Sequence, residues 1–255
     1  MIKSRYCAVE SLKIMGSASK EVMGPNINVL LWNVFKCKKK DWERDFVSLI
    51  SDKDLILLQE AILNSPFDIL FNRSQQHQWI MASSFKNVRT NIETGVKTGS
   101  TVAASEHYFS VSSHGEPITK TKKMLLATEY IMPVDRQSVI EKTLMVVNFH
   151  IINFVSFDKF KAHLDQVLHI FERHNGPIIF AGDFNTWNTK RLSYFKELAR
   201  SFSLEEVELL RRPKFSHLLQ HLDHIYCRGL EVVKVKVHTD IHSSDHYPIS
   251  LSLRV

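Results

Sequence analysis

Three short polar clusters in the last third of the chain carry the residue types of a hydrolytic metal site. Each is placed against a run of apolar residues typical of a strand, and together they read Gly182-Asp183-Phe184-Asn185, Leu222-Asp223-His224 and Ser244-Asp245-His246. A buried strand takes Val, Ile, Leu and Phe, so charged groups at its end lie where the sheet stops and a ligand can reach them. This pattern favours acid–base chemistry assisted by a metal ion.

Three strand ends further upstream carry polar residues of the same kind. The apolar run 29–32 ends at Asn33, the run 54–58 ends at Gln59-Glu60, and the run 144–147 ends at Asn148-Phe149-His150. A hydrolytic metal site needs a cation against the developing negative charge, a base for water and an acid for the leaving group. The six strand ends together supply groups for all three tasks. Glu60 is a hard oxygen ligand, which suits Mg²⁺ or Mn²⁺ better than zinc.

The elements that must position these clusters follow from apolar periodicity. Helical spacing through Trp42, Phe46 and Leu49 separates the first two strands, and two more helices are predicted at about 157–174 and 192–202. Further strands are predicted at 101–104, 123–132, 144–150, 178–181, 232–237 and 249–253, with a short one around Ile225. The Ser/Thr/Asn-rich stretch 83–101 is predicted to be an exposed loop or a hairpin.

The composition is that of one soluble globular domain. The chain has 255 residues, of which 44% are hydrophobic and 24% charged. We expect residues 26–255 to form this domain and residues 1–25 an N-terminal extension that frays. Cys7, Cys37 and Cys227 have no pairing pattern, so a reducing compartment is favoured. Since neither a secretion signal nor a membrane-length apolar run is evident, we expect a cytoplasmic protein without stable membrane association.

The net charge of +6 favours a phosphate-bearing partner, and nucleic acid is the expected one. Lys36 and the lysines at 38–40 follow Asn33 closely. They could contact phosphates, although a charge run is usually only a solvated loop. The sequence indicates no protein partner.

The motifs, taken in order, resemble those of the endonuclease/exonuclease/phosphatase superfamily, and within it most closely the bacterial YafD-like group. The residues that carry the resemblance are Asn33, Gln59-Glu60, Asn148-x-His150, Gly182-Asp183-x-Asn185, Asp223-His224-Ile225 and Ser244-Asp245-His246. The resemblance covers residues 28–253. It implies an α+β fold of the DNase I-like kind, a four-layer αββα sandwich. In it two mixed sheets pack face to face with helices outside, and the site lies at one edge.

The resemblance also implies a metal site. Glu60 would be a ligand of Mg²⁺ or Mn²⁺, and Asn33 and Asp245 would complete or flank the site. An isolated glutamate at such a position would more often be a turn carboxylate. The ordered set of motifs is what favours the metal ligand.

The catalytic groups implied by the resemblance are His150, Asp183, Asn185, Asp223 and His246. Asp223 would fix the tautomer of His246, which would be the general base or a phosphate ligand. Alternatively Asp183, held by Asn185, would activate the water while His246 stabilises the transition state. Asn185 would donate to a phosphoryl oxygen, and His150 would be an acid or a second substrate contact. A lone histidine at a strand end is more often structural.

The function that these expectations favour is divalent-metal-dependent phosphodiester hydrolysis, with DNA or RNA as substrate. A phosphatase or a phosphodiesterase of the phospholipid or sphingomyelinase type is the enzymatic alternative. The non-enzymatic alternative is a catalytically silent module that binds a phosphate ligand. In such a module we would expect an inert residue at one of the metal or base positions, whereas the candidate residues are all present.

Overall fold

Strands dominate the described part of this computed structural model, which comprises residues 5–63, 76–133, 142–209 and 222–255. The strands are β1 (Tyr6–Gly16), β2 (Asn26–Asn33), β3 (Leu55–Leu63), β4 (Gln78–Asn87), β5 (Glu93–Ser100), β6 (Glu106–Val111), β7 (Met124–Ile131), β8 (Thr143–His150), β9 (Ile178–Asp183), β10 (Glu205–Glu206), β11 (Asp223–Arg228), β12 (Glu231–Val237) and β13 (Ile249–Arg254). The helices are α1 (Trp42–Ile50), α2 (Phe157–Leu164), α3 (Leu168–Phe171) and α4 (Thr189–Ser201), with 3₁₀ turns at Phe35–Cys37 and Asp165–Val167.

The strands form two mixed sheets. A seven-stranded sheet has the order β1-β4-β5-β3-β2-β13-β12, and a six-stranded sheet has the order β10-β11-β9-β8-β7-β6. The pairs β2–β3 and β8–β9 are parallel. Each parallel pair is joined by a helical crossover, α1 in the first and α2 with α3 in the second. The carboxyl ends of β2 and β3 therefore lie at one edge of their sheet, as do those of β8 and β9.

Strand β2 is buried on both faces, which explains why its sequence is continuously apolar. Val29 and Leu31 face the second sheet and pack in the core between the sheets. Leu30 and Trp32 face the other way, toward α1. A strand covered on both faces cannot alternate apolar and polar residues.

The outer face of the six-stranded sheet is covered by the helices. Phe180 of β9 packs edge-on against Phe195 of α4, and Phe160 of α2 lies in the same cluster. The layers are thus α1, two sheets face to face, and α2 to α4. The predicted α+β four-layer sandwich is confirmed.

Three expectations from the sequence need correction. Residues 6–16 do not fray, because they form β1, whose backbone pairs with β4 at the edge of the sheet. The stretch 83–101 is not an exposed loop but the other predicted alternative, a hairpin: its strands β4 and β5 are largely buried and its turn at 88–91 is exposed. At 101–104 there is only an isolated bridge between Lys20 and Val102 in place of a strand.

Within the described residues, no helix has the length and apolar character needed to cross a lipid bilayer.

Candidate active site

Strand pairing brings three of the candidate residues to one point. In the parallel pair β8–β9, His150 lies beside Asp183. In the antiparallel pair β9–β11, Asp223 is the direct partner of Asp183. Residues directly opposite on neighbouring strands point to the same face of the sheet. The sheet therefore fixes a histidine and two carboxylates side by side.

Gly182 is required by this close pairing. A Cβ atom at this position would lie 1.8 Å from the carbonyl oxygen of Phe149 on β8. That distance is far shorter than any non-bonded contact, and a backbone atom cannot move aside as a side chain can. Gly182 thus lets β9 approach β8 just before Asp183.

Asp183 is the point on which the other groups converge. Its Oδ2 atom accepts a hydrogen bond of 3.0 Å from Asn33 Nδ2. The same oxygen lies 3.5 Å from His150 Nε2 and 3.8 Å from His246 Nε2. The backbone N–H of Asn185 donates to Oδ1 at 3.2 Å. Both sheets therefore contribute to one buried carboxylate.

His246 reaches this point from the loop before β13, and that loop is tied to β2. The indole Nε1 of Trp32 donates to His246 O at 3.1 Å, and Ser244 Oγ donates to Asn33 O at 2.5 Å. His246 Nδ1 lies 2.6 Å from Asp223 Oδ2. The carboxylate thus fixes the ring so that Nε2 points toward Asp183.

The electrostatics of the cluster separate its members into distinct protonation states. Burial opposes a charge on His246, but the ion pair with Asp223 outweighs it and raises the pKa of His246 to about 10. Burial raises the pKa of Asp183 to about 7, against the opposing effect of His246. Burial, followed by Lys123, holds the pKa of His150 well below its usual range. At neutral pH His246 is therefore charged and His150 neutral.

Glu60 lies in a β-bulge. The register of β3 against β5 shifts between Leu58 and Ala61, and Glu60 has a φ of +50°. A bulge redirects a side chain, and a left-handed glutamate is a conformation that proteins keep mainly at functional sites. The backbone of the bulge thus sets where the Glu60 carboxylate points.

Two lysines hold the Glu60 carboxylate. Lys36 Nζ lies 2.6 Å from Oε2, and Lys123 Nζ lies 3.5 Å from Oε1. Burial would raise the pKa of Glu60, but Lys123 and Lys36 hold it well below the usual range. Lys36 therefore contacts a carboxylate. The charge run alone suggested only a phosphate contact or a solvated loop.

Lys123 was missed by the sequence analysis. It is almost fully buried, and its ammonium group also lies 3.5 Å from Glu116 Oε1. A buried cation needs anionic partners, and here they are one carboxylate of the candidate site and one of a surface loop. No motif marks this residue, because its partners are distant in sequence.

Asn185 is held in place by a second buried cation that the sequence analysis missed. Arg191 donates from Nη1 to Asn185 O at 3.1 Å and from Nη2 to Val155 O at 2.7 Å. Asn188 caps α4 by accepting from the N–H of Arg191 at 2.9 Å, which places Arg191 in the first turn. Asn185 Nδ2 donates to Ile151 O at 3.0 Å.

A polar contact behind the site joins the two sheets. Gln59 Nε2 donates to Asn148 Oδ1 at 2.7 Å, and Asn148 Nδ2 donates to Lys97 O at 3.1 Å. Both amides are fully buried. Gln59 precedes Glu60 and Asn148 lies two residues before His150. This bridge fixes the spacing of the two strand ends.

Two carboxylates of the cluster offer oxygen atoms to a divalent metal, whereas the charged ring of His246 offers no lone pair to it. Among the described residues, the group of carboxylate and imidazole ligand atoms that lie within 4.8 Å of one another belongs to Asp183, Asp223 and His246. Asp223 Oδ1 is buried and has no hydrogen-bond partner in the described part of the chain, so its lone pairs are open to a ligand. Oxygen donors of this kind suit Mg²⁺ or Mn²⁺. Asp245 is exposed, and its place with Asn33 and Glu60 around a metal stays a prediction.

Two face-to-face mixed sheets with this carboxylate–imidazole cluster at one edge define a DNase I-like sandwich. The model of the endonuclease/exonuclease/phosphatase family matches residues 30–246. A UPF0294 protein of Klebsiella pneumoniae is 33% identical over 231 residues, and the match spans 88% of this chain and 80% of that protein.

Solved structures show the same fold. An endonuclease/exonuclease/phosphatase from Beutenbergia cavernae has a TM-score of 0.68 at 14% identity, covering 91% of this chain and 72% of that one. A 3′ phosphatase from Neisseria, bound to a product DNA hairpin, has a TM-score of 0.59 at 16% identity, covering 88% and 98%. This chain belongs to the endonuclease/exonuclease/phosphatase family, and the resemblance read from the motifs is confirmed.

Proposed function

We propose that this protein is a divalent-metal-dependent phosphodiester hydrolase that acts on nucleic acid. The observation that carries the proposal is the convergence on Asp183 Oδ2 of Asn33, His150 and a His246 ring paired with Asp223. Family membership supports the hydrolysis of phosphate esters. The roles of the individual residues and the substrate are our proposal.

In this proposal Asp183 accepts a proton from the attacking water. With a pKa of about 7, a substantial fraction of the Asp183 carboxyl group is ionised at neutral pH, and this carboxylate is basic enough to accept a proton. The protonated His246, held by Asp223, donates to a phosphoryl oxygen and stabilises the charge that develops there. Asn185 orients the phosphoryl group through its amide.

His150, neutral at neutral pH, lies beside the same carboxylate. It contacts the substrate on the leaving-group side. The candidate metal ligands are Glu60 with Asn33 and Asp245. A bound Mg²⁺ or Mn²⁺ would polarise a phosphoryl oxygen and neutralise negative charge.

Nucleic acid is the substrate class that the charge of the chain supports. The protein carries a net charge of +6, and Lys39 contacts Ser244 O at 2.6 Å, beside the Asp245-His246 segment. Lysines next to a phosphodiester site raise the affinity for a polyanion, because its counterions are released when it binds. The Neisseria structure, with its bound DNA hairpin, shows that this fold accommodates DNA in a relative. We place the reaction in the cytoplasm, which cell fractionation tests.

The experiment is turnover of a substrate panel with Mg²⁺ or Mn²⁺. The panel contains single-stranded DNA, plasmid DNA, RNA, a sugar phosphate, sphingomyelin and bis(p-nitrophenyl) phosphate. Each is incubated with the wild type, with His246→Ala and with the exposed control Asp240→Asn, with and without chelator.

The proposal expects cleavage of a nucleic acid that chelator and His246→Ala abolish and that Asp240→Asn leaves intact. Cleavage of the sugar phosphate or sphingomyelin alone would replace nucleic acid by the corresponding alternative substrate. Metal binding by calorimetry without cleavage of any member would contradict the hydrolase and favour a binding module.

A further inference from the structure

Two exposed aromatic side chains stand at the edge of the candidate active site. Phe154, four residues after His150, is 71% exposed, and Trp187, two residues after Asn185, is 48% exposed. Both lie on the loops that follow the parallel strands β8 and β9. We propose that Phe154 and Trp187 form a stacking site for an unpaired nucleobase next to the phosphodiester bound at Asp183. This inference rests on the proposed function.

One amide oxygen holds both aromatic residues in place. Asn153 Oδ1 accepts the backbone N–H of Phe154 at 2.8 Å and the indole Nε1–H of Trp187 at 2.9 Å. The backbone N–H of Asn153 in turn donates to Glu116 Oε1 at 3.3 Å, and Glu116 pairs with Lys123. The indole is thus anchored by its polar edge, and the ring face that does not lie against Arg191 is the surface for a ligand.

The buried Arg191 couples this indole to the catalytic cluster. Its guanidinium carbon lies 4.8 Å from the centroid of the Trp187 ring, and its Nη1 donates to Asn185 O. One cation therefore positions both the indole and the asparagine that would face the phosphate. Two residues of extended chain span at most about 7 Å, which is within reach of a base flanking the scissile phosphate.

The backbone at Phe154 is costly for a residue that contributes nothing to the core. Its φ is +53°, in the left-handed region that bulky side chains rarely adopt. A glycine or asparagine would adopt this conformation more readily, and the ring gains no burial in return. Strain of this kind persists where a side chain has a use outside the fold.

A base fits these rings better than a lipid surface does. Insertion into lipid needs protruding apolar tips, whereas the indole here is tied at its edge and backed by a guanidinium. The surroundings are also polar and basic, with Ser156, Asn188 and Lys190 nearby in sequence. Ile118, 92% exposed on the loop of Glu116, would add to a lipid-binding surface, so vesicles are included in the test.

The test compares two substitutions of Trp187 by fluorescence anisotropy with a labelled single-stranded oligonucleotide. Trp187→Tyr keeps an aromatic face, and Trp187→Leu keeps an apolar side chain without one. Binding is measured in the Asp183→Asn background, so that turnover does not interfere. Stacking of one base predicts that Trp187→Leu weakens binding roughly 5- to 150-fold, while Trp187→Tyr stays close to the wild-type affinity.

A substitution of Phe154 separates binding from folding. Phe154→Gly should weaken oligonucleotide binding and raise the melting temperature, because it removes the ring and relieves the left-handed backbone. A structural role for the ring would instead lower the melting temperature.

Both Trp187 variants should keep the far-ultraviolet circular dichroism spectrum of the wild type, so that a difference in their oligonucleotide affinity reports on the aromatic face and not on folding. Equal oligonucleotide affinity for Trp187→Leu and Trp187→Tyr would overturn the inference. So would binding to phosphatidylglycerol–phosphatidylcholine vesicles without binding to the oligonucleotide. If the wild type hydrolyses no diester, the proposed function fails, and the anisotropy comparison still decides the stacking site.

Discussion

Replacing Arg191 by methionine tests whether the loop that carries Asn185 is held by a buried cation. The side chain is 1% exposed, and it donates to the carbonyl oxygens of Asn185 and Val155. In the described part of the chain no carboxylate pairs with it, and burial lowers the pKa of Arg191 to about 10. The guanidinium therefore carries a desolvation cost that its hydrogen bonds and ring contacts offset.

The expected magnitude follows from these contacts. Each hydrogen bond from a charged donor contributes about 1.5–3 kcal/mol, and methionine removes the donor from the buried carbonyl of Asn185 and the partly buried carbonyl of Val155. Removing the buried charge also removes its desolvation cost, which offsets part of the loss. We therefore expect Arg191→Met to lower the free energy of unfolding by about 2–4 kcal/mol. Because Asn185 loses its support, kcat on a small diester should fall about 10- to 100-fold.

Urea unfolding and steady-state kinetics measure the two effects. Lys190→Met is the control, since Lys190 is exposed on the same helical turn and has only a cation–π contact with Phe157, so it should change stability by no more than about 0.5–1 kcal/mol. If Arg191→Met unfolds at the same urea concentration as the wild type and keeps its kcat, the positioning role is refuted.

Three further predictions concern the pairing of the strands, a buried histidine and the Asp223–His246 pair. Gly182→Ala should cost about 3 kcal/mol or more in urea unfolding and abolish activity, because its methyl group would meet Phe149 O; near-wild-type stability would contradict the close approach. Burial lowers the pKa of His163 to about 3, so the unfolded chain binds the extra proton between pH 6.5 and 3. The free energy of unfolding should therefore fall by about 1.4 kcal/mol per pH unit between pH 6.5 and 3, and His163→Gln should remove this contribution. If the pH dependence of stability is the same in His163→Gln as in the wild type, a neutral buried ring is contradicted. Asp223→Asn removes the carboxylate that raises the pKa of His246 to about 10. In the wild type, the stabilisation by the Asp223–His246 ion pair is complete below pH 6.5 and is lost as the pH rises toward 10. In the variant, NMR titration of His246 should show a pKa shifted down toward 6.5. If the titration midpoint does not move, the ion pair is not what stabilises the charged ring.

The strand ends were predictable from the sequence because each combines an apolar run with a polar stop. Asn33, His150 and Asp183 end strands as expected, and the strand that begins at Asp223 pairs directly with Asp183. The pairing of Asp223 with His246, implied by the family resemblance, is present in the structure.

Other features could not be read from the sequence because tertiary contacts determine them. Lys123 and Arg191 look like ordinary surface cations in the sequence, and only the fold shows that both are buried. Strand β1 lacks an apolar period because it lies at the edge of its sheet and is held by backbone hydrogen bonds. The run 101–104 has strand-like residues, but only Val102 finds a partner.

The most direct test of the central claim is the rate of bis(p-nitrophenyl) phosphate hydrolysis by Asp183→Asn, compared with the wild type and Asp240→Asn in the presence of Mn²⁺. Asparagine keeps the shape of the side chain but cannot accept the proton from water. We predict a rate lowered by roughly 10²- to 10⁴-fold for Asp183→Asn and unchanged for Asp240→Asn. A rate for Asp183→Asn equal to that of the wild type would contradict a reaction centred on Asp183.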